Sequence, residues 1–339
     1  MVSPRTIRNL KREWRSNWLA KIGVFLVVTV LLVAVFAPFV APDNPRTQNL
    51  DDGNLPPIGF SETKNTTSSE FVNGSVKVVS EQQTINATWD HPMGTNELGQ
   101  DMFSRVVYGA RTSLIVGIFG TLLAMLIGVP VGLVAGYYRG YVDDALMRFA
   151  DVMLAFPSLV LAVALVGLWG RLTRRVYDPF VAAGLAPGMP ETITIPVTVI
   201  VVVALVTWVW FARVARGEAI SVREEEYVKA ARSLGASDSF VIRKHILPNS
   251  VTPILVLGAI QIAAIILLES ALSFLGFSGT QLSWGFDISQ GRDSLATSWW
   301  VATMPGIAIV LTVIGINLVG DWLRDALDPG LGGEGGSGA

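Results

Sequence analysis

EEEYVKAARSLGASDSFVIRKHILP, residues 224–248, carries a dense run of charge between two long apolar runs. Its spacing predicts two short helices joined at a glycine. Tyr227, Ala231 and Leu234 recur at i, i+4 and i+7, which puts them on one helical face. Gly235 can take the positive φ that closes a helix, and Asp238 is placed to cap the next one. Pro248 lacks a backbone donor and suits the first turn of the apolar helix that follows. Ala230, Ala231 and Gly235 leave a surface that a partner can approach closely. The same spacing also suits an amphipathic helix lying on lipid headgroups, and the loop alone does not choose between the two.

Outward from this loop the chain is apolar. Of its 339 residues, 51% are hydrophobic and 15% are charged, against about 25% charged in an ordinary soluble domain. The excess is gathered in long uncharged runs, which predicts an all-α polytopic membrane protein. A net charge of −2 gives no reason to expect nucleic acid. The chain has no cysteine, which excludes disulfides, thiolate metal sites and cysteine nucleophiles. His91 and His245, its two histidines, fall on opposite sides of the expected topology, so no metal site is expected. No G-x-x-x-x-G-K-[ST] loop is present, so ATP binding by that route is not expected either. Nothing points to a catalytic residue or a bound cofactor.

Residues 1–21 are basic, with Arg5, Arg8, Lys11, Arg12, Arg15 and Lys21 against Glu13. The uncharged run 22–40 that follows is longer than the apolar region of a cleavable leader, about 7–15 residues, and reads as a first span. Its basic flank places the N-terminus in the cytoplasm. Residues 41–110 form an external loop. There Asn73-Gly74, between β-prone residues, predicts a small hairpin, and sequons at Asn65, Asn73 and Asn86 suit an outside location. Residues 111–323 hold the membrane core, with apolar runs at 112–138, 152–170, 192–212, 246–277 and 294–320. That makes six spans, with both termini inside. Met102, Val106 and Ala110 line a short helix ahead of the second span. The basic residues of 213–248 place that loop in the cytoplasm, although this leaves Arg171, Arg174 and Arg175 outside. Glycines at 117, 120, 128, 132 and 136 suggest close helix packing. Residues 324–339 form a glycine-rich, flexible tail.

Two stretches carry a family resemblance. Ala230-Ala231, Gly235 and Leu247-Pro248 resemble the EAA…G…LP loop of ABC importer membrane subunits. Residues 91–114, HPMGTNELGQDMFSRVVYGARTSL, resemble the segment before the second span in dipeptide and oligopeptide permeases. SFLGF at 273–277 and NLVGDWLRDALDP at 317–329 agree. The resemblance covers roughly residues 90–330, and the first span loosely; residues 60–88 are extra length. Lys229 stands where the family has Glu, His245 where many members have Ile, and Gln100 where Arg is usual.

On these motifs the chain is similar to the C-type subunit of the peptide/nickel permease branch. The resemblance implies the type I ABC importer permease fold, with six transmembrane helices, a cytoplasmic coupling-helix loop and a small external β-containing insertion. It implies docking on a separate ATPase through Glu226, Tyr227, Lys229, Ala230, Ala231, Leu234, Gly235, Ala236, Leu247 and Pro248. The implied partners are a second homologous permease, one or two ATPase subunits, an external solute-binding protein and the lipid bilayer of the plasma membrane. Dipeptides or oligopeptides are the implied cargo, with nickel, glutathione or sugars as alternatives. A membrane receptor or scaffold is a different class, and should show a sizeable signalling domain; a channel should show pore loops or charged rings. Glu269 stands alone in the run 246–277. A lone carboxylate there is expected to face the subunit interface or translocation path, hydrogen-bonded to a neighbouring span.

Overall fold

The computed structural model describes residue 14, residues 17–72 and residues 75–327. The basic residues before position 14, Arg15, the Asn73-Gly74 turn and residues 328–339 of the expected tail lie outside the described residues, while residues 324–327, expected as tail, are helical. Among the described residues, five helices are long and apolar enough to cross a hydrocarbon core, or six if one bent pair counts as a single span.

Helix α1 (Trp18–Val35) starts where Asn17 accepts a hydrogen bond from the Ala20 N–H at 3.1 Å. It stops at Phe36, ahead of Pro38, and one further turn, α2 (Ala37–Val40), completes the uncharged run. Beyond it, β1 (Ser61–Val72) and β2 (Ser75–Asn86) pair antiparallel from Ser61↔Asn86 to Val72↔Ser75. The expected hairpin is therefore present, with strands of 12 residues each.

Helix α3 (Met102–Tyr138) has 37 residues. At 1.5 Å per residue it is about 55 Å long, well beyond a hydrocarbon core of about 30 Å. The short helix expected at 102–110 and the span expected from 112 are one uninterrupted element. Asp101 caps it by accepting from the Ser104 N–H at 2.7 Å, and no proline interrupts it before Pro130. Gly128, Gly132 and Gly136 recur every fourth residue along α3. A Cβ at each would run into the carbonyl oxygens of Trp208, Ala212 and Arg216 in turn. Those three residues belong to α7, so the glycines let two membrane helices meet backbone to backbone.

The run 152–170 is not one helix. Helices α4 (Gly140–Ala155) and α5 (Ser158–Trp169) meet at 91° across Pro157, which cannot continue the hydrogen-bond ladder. The twelve residues of α5 rise only about 18 Å, short of a full span. The amphipathic α4 is pinned to α7 by Asp143–Arg216 at 2.5 Å and Asp151–Arg213 at 2.7 Å. Strand β3 (Arg174–Tyr177) and the turn α6 (Pro179–Ala182) precede β4 (Thr192–Ile195), which pairs antiparallel with β3. The fourth apolar run thus begins as a strand. Pro196 separates it from α7 (Val197–Arg223), which continues past the end of the run. Arg213 and Arg216 consequently belong to the helix and not to the loop.

The charged loop holds α8 (Glu226–Ser233) and α9 (Asp238–Val241) and leads into α10 (Leu247–Phe274). Residues 278–293, expected as a plain connection, contain α11 (Trp284–Gly291), which tucks back into the bundle. Trp284 is buried and donates its indole N–H to the Val106 carbonyl at 2.9 Å. Helix α12 (Trp300–Leu327) completes the fold. The bundle therefore has a loop end, where α8 and α9 lie, and an opposite end built from the strands, α11 and the start of α3.

Candidate functional site

Helix α8 opens with Glu226 and closes with Arg232 in its last turn, charges that complement the helix dipole. It ends in a full Schellman turn: the Gly235 N–H reaches the Arg232 carbonyl at 3.0 Å and the Ala236 N–H reaches the Ala231 carbonyl at 3.1 Å. That turn requires a left-handed residue, and Gly235 has φ +84°. Asp238 is not the cap of α9. Ser237, one residue earlier and extended, accepts from the Phe240 N–H at 3.4 Å. The Asp238 carboxylate instead accepts from the Tyr137 hydroxyl at 2.5 Å. Residues 242–246 then form a π turn, with the Leu247 N–H on the Ile242 carbonyl. Pro248 explains it, because its ring crowds the carbonyl four residues back and it has no N–H to give.

Val228, Val241 and Ile246 are fully buried and anchor the loop to the bundle. On the outside Leu234 is 88% exposed, and Tyr227 and Phe240, each about half exposed, lie against the His245 ring. Leu234 lies one residue past the end of α8, so it joins Tyr227 on the surface through the turn. Ala231, between them in the spacing, is half-buried, as is Ala236, while Ala230 and Gly235 are exposed. Large apolar side chains exposed around small residues are the kind of surface that marks a protein or membrane contact. Tyr227 accepts from the Asn249 amide at 3.2 Å and lies 5.8 Å from the His245 ring. Partial burial, with Glu225 nearby, pushes its phenol above the usual range. Lys229 reaches Glu226 at 3.4 Å and Glu224 at 3.8 Å. These are exposed pairs that add little stability. Leu247 and Pro248 begin α10 and shape the turn, with Leu247 half-buried and Pro248 exposed.

At the opposite end, the motif 91–114 is a set of buried fastenings that spacing did not disclose. Arg105 donates to Asp287 at 2.7 Å, to the Gln100 side chain at 2.9 Å, and to the carbonyls of Pro45 and Gln281 at 3.2 and 2.7 Å. Arg111 pairs with Asp178 and donates to the Ala34 and Val35 carbonyls at 2.5 and 2.9 Å. Thr112 donates to the Leu282 carbonyl at 2.6 Å. Asp101 caps α3 and holds His91 at 3.1 Å. The available signal was chemical: two arginines beside an apolar helix need acidic partners, and Asp178 and Asp287 supply them.

Glu269 is completely buried inside the chain. Its carboxylate accepts from Ser113 on α3 at 3.0 Å, from Ser273 at 2.5 Å and from Ser270 at 3.5 Å. It does not lie on the open surface that a neighbouring subunit or a pathway would line. Hydroxyls on its own helix and on α3 close around it, and Ser113 on α3 supplies the hydrogen bond expected from a neighbouring span. Gly285 on α11 sits directly on the Ser270 carbonyl, which seals the same place. Glu269→Leu is expected to cost about 1–3 kcal/mol by removing the acceptor for these hydroxyls. Glu269→Gln, which keeps an oxygen, should cost less. Thermal unfolding of the detergent-solubilised protein reads both, and equal melting of the two variants would refute the role assigned to the acceptor.

Residues 128–333 match the family described as binding-protein-dependent transport system inner membrane component, and residues 8–57 match the N-terminal TM domain of oligopeptide transport permease C. A dipeptide transport system permease protein of Alkalihalophilus pseudofirmus is 33% identical over 95% of this chain and 89% of its own length. A glutathione transport system permease protein of Pectobacterium atrosepticum is 39% identical over 71% of this chain and 73% of its own. Among solved structures, the inward-facing MetNI methionine ABC transporter superposes with a TM-score of 0.51 at 17% identity. It covers 67% of this chain and 98% of that one, and shares the fold. With the long apolar helices, the buried glycine seam and the charged loop already described, these matches show that the chain belongs to the family of binding-protein-dependent transport system inner membrane components, with the fold of an ABC importer permease.

Proposed function

We propose that this permease subunit imports short peptides, and that residues 224–248 are its contact with a separate ATPase. The observation that carries the reading is the loop end. Two short helices anchored by buried Val228, Val241 and Ile246 present Tyr227, Leu234 and Phe240 outward around Ala230 and Gly235. The dipeptide permease relatives, aligned over most of the chain, support the cargo. In this reading a second homologous permease completes the pathway, one or two ATPases bind the loops, and a solute-binding protein delivers cargo from outside. Both termini are cytoplasmic and the β1–β2 hairpin is external.

The chain should copurify with an ATPase whose hydrolysis rises when a peptide-loaded binding protein is added. The absence of an ATPase from the purified complex would refute the reading. Orientation is tested on single cysteines, for which this cysteine-free chain is a clean background. Ser75→Cys should react with an impermeant thiol reagent in sealed cells, and Ser237→Cys should not; labelling of the Ser237 variant would invert the topology. The glutathione permease relative supports a second cargo. Competition of glutathione with a labelled dipeptide for uptake distinguishes the two.

A further inference from the structure

Tyr137 is the penultimate residue of α3 and is only 3% exposed. Three other elements meet on it. Its hydroxyl donates to Asp238 Oδ1, at the first residue of α9. The guanidinium of Arg223, the last residue of α7, lies 5.7 Å from the ring centroid, and that of Arg232, on α8, lies 5.8 Å away. The preceding Gly136 abuts the backbone of Arg216 and the Ala219 side chain, so the ends of α3 and α7 pack as one unit. A phenol that donates to a carboxylate has a more electron-rich ring, which strengthens its attraction for both cations. The three contacts therefore reinforce one another. Between α8 and α9, by contrast, a Cβ on Gly235 would meet nothing within 4 Å, so no side chain packs against that residue itself.

We propose that Tyr137 is a positioning residue for coupling: it sets the angle between α8 and α9 and passes displacement of the pair into α3. The proposal rests on the reading of residues 224–248 as the ATPase contact. Val228, Val241 and Ile246 hold the loop by burial, which has no preferred direction. The Tyr137 hydrogen bond and its cation contacts are directional and touch both short helices. Helix α3 then runs 37 residues to the opposite end of the bundle, where Arg105 and Arg111 fasten it to α11 and to the segment after α5. A shift of the loop thus has one continuous helix to act on.

The test is the number of ATP molecules hydrolysed per solute imported, measured on the intact complex in vesicles. Tyr137→Phe keeps the ring and deletes the hydroxyl. It should raise the ratio about tenfold, the scale of a hydrogen bond to a charged group. Asp238→Ala should do the same, and Asp238→Asn, which retains an oxygen acceptor, should do so by less than half as much. The double variant Tyr137→Phe/Asp238→Ala should be no worse than Asp238→Ala alone, because Asp238→Ala already removes the Tyr137 hydrogen bond together with the interaction of Asp238 with Tyr138. A wild-type ratio in Tyr137→Phe, or additive losses in the double variant, would overturn the proposal. So would loss of the ATPase from the Tyr137→Phe complex, since the hydroxyl would then hold the docking surface itself. Failure of the unmodified chain to retain any ATPase strikes first at the reading of the loop, and the proposal falls with it.

Discussion

Arg105→Ala is expected to destabilise the protein by about 3–5 kcal/mol, because it leaves a buried carboxylate without its cation. Asp287 is 1% exposed, and its Oδ2 has no hydrogen-bond partner among the described residues even with Arg105 present. Burial pushes the Asp287 carboxyl up, and Arg105 opposes that push. With the arginine gone only the push remains. The variant also loses the donors to the Pro45 and Gln281 carbonyls and to Gln100, so the ties between α3, α11 and the segment after α2 fail together. The pH dependence has a definite sign. A carboxyl raised in the folded state binds its proton more readily there than in the unfolded chain. The damage is therefore full above the folded-state value and is relieved as pH falls through it. Thermal unfolding in detergent across pH should show Arg105→Ala nearing the parent protein on the acid side. Arg105→Met combined with Asp287→Leu should recover most of the loss at neutral pH, since a volume-matched apolar pair removes both charges. A double variant as unstable as Arg105→Ala would refute the ion-pair account and assign the loss to the missing carbonyl donors.

The sequence disclosed features that act along one helix or one turn. The glycines at 128, 132 and 136 predicted close helix packing without naming a partner, and they meet the carbonyls of Trp208, Ala212 and Arg216. Gly235 between two short helices predicted the left-handed turn, because only the local backbone decides it. The misreadings were long-range or depended on competition between neighbours. Ser237 took the cap expected of Asp238, because Asp238 had a partner in Tyr137, about a hundred residues earlier in the chain. Thr192 to Ile195 counted as apolar span, yet β-branched residues ahead of Pro196 pair equally well with a strand, and β3 was available. Pro157 marked a break in the third span, but hydropathy could not give the 91° angle that turns α4 aside. Arg105 and Arg111 read as parts of a family motif. Their function as fastenings depends on Asp287 and Asp178, and no local pattern links those positions. Glu269 was visible as a lone acid in an apolar helix. Its partner Ser113, on a different helix, is what turns it inward.

Gly235→Pro is expected to abolish solute uptake while leaving the protein inserted and folded. Gly235 has φ +84°, whereas proline holds φ near −65°, so the Schellman turn cannot form. Proline also removes the N–H that reaches the Arg232 carbonyl. The damage should stay local, because Gly235 is exposed and the anchors Val228, Val241 and Ile246 are untouched. Gly235→Ala isolates the conformational part: its Cβ would meet nothing within 4 Å, so the cost is that of a left-handed alanine, about 1–2 kcal/mol. Ala231→Trp probes the surface in the complementary way. Ala231 is half-buried beside Tyr227 and Leu234, and an indole there fills space that a docked partner would occupy, without straining the turn. Both Gly235→Pro and Ala231→Trp should reduce uptake at least tenfold at equal membrane abundance, and Gly235→Ala should fall between them and the parent. The two strong variants should differ in a second measurement. A tryptophan that blocks docking should release the ATPase from the purified complex, whereas a broken turn leaves α8 intact and should retain part of it in an uncoupled state. Normal uptake by both would refute the assignment of residues 224–248 as the ATPase contact, because no partner seated on Tyr227, Leu234 and Gly235 could tolerate both a lost turn and an added indole.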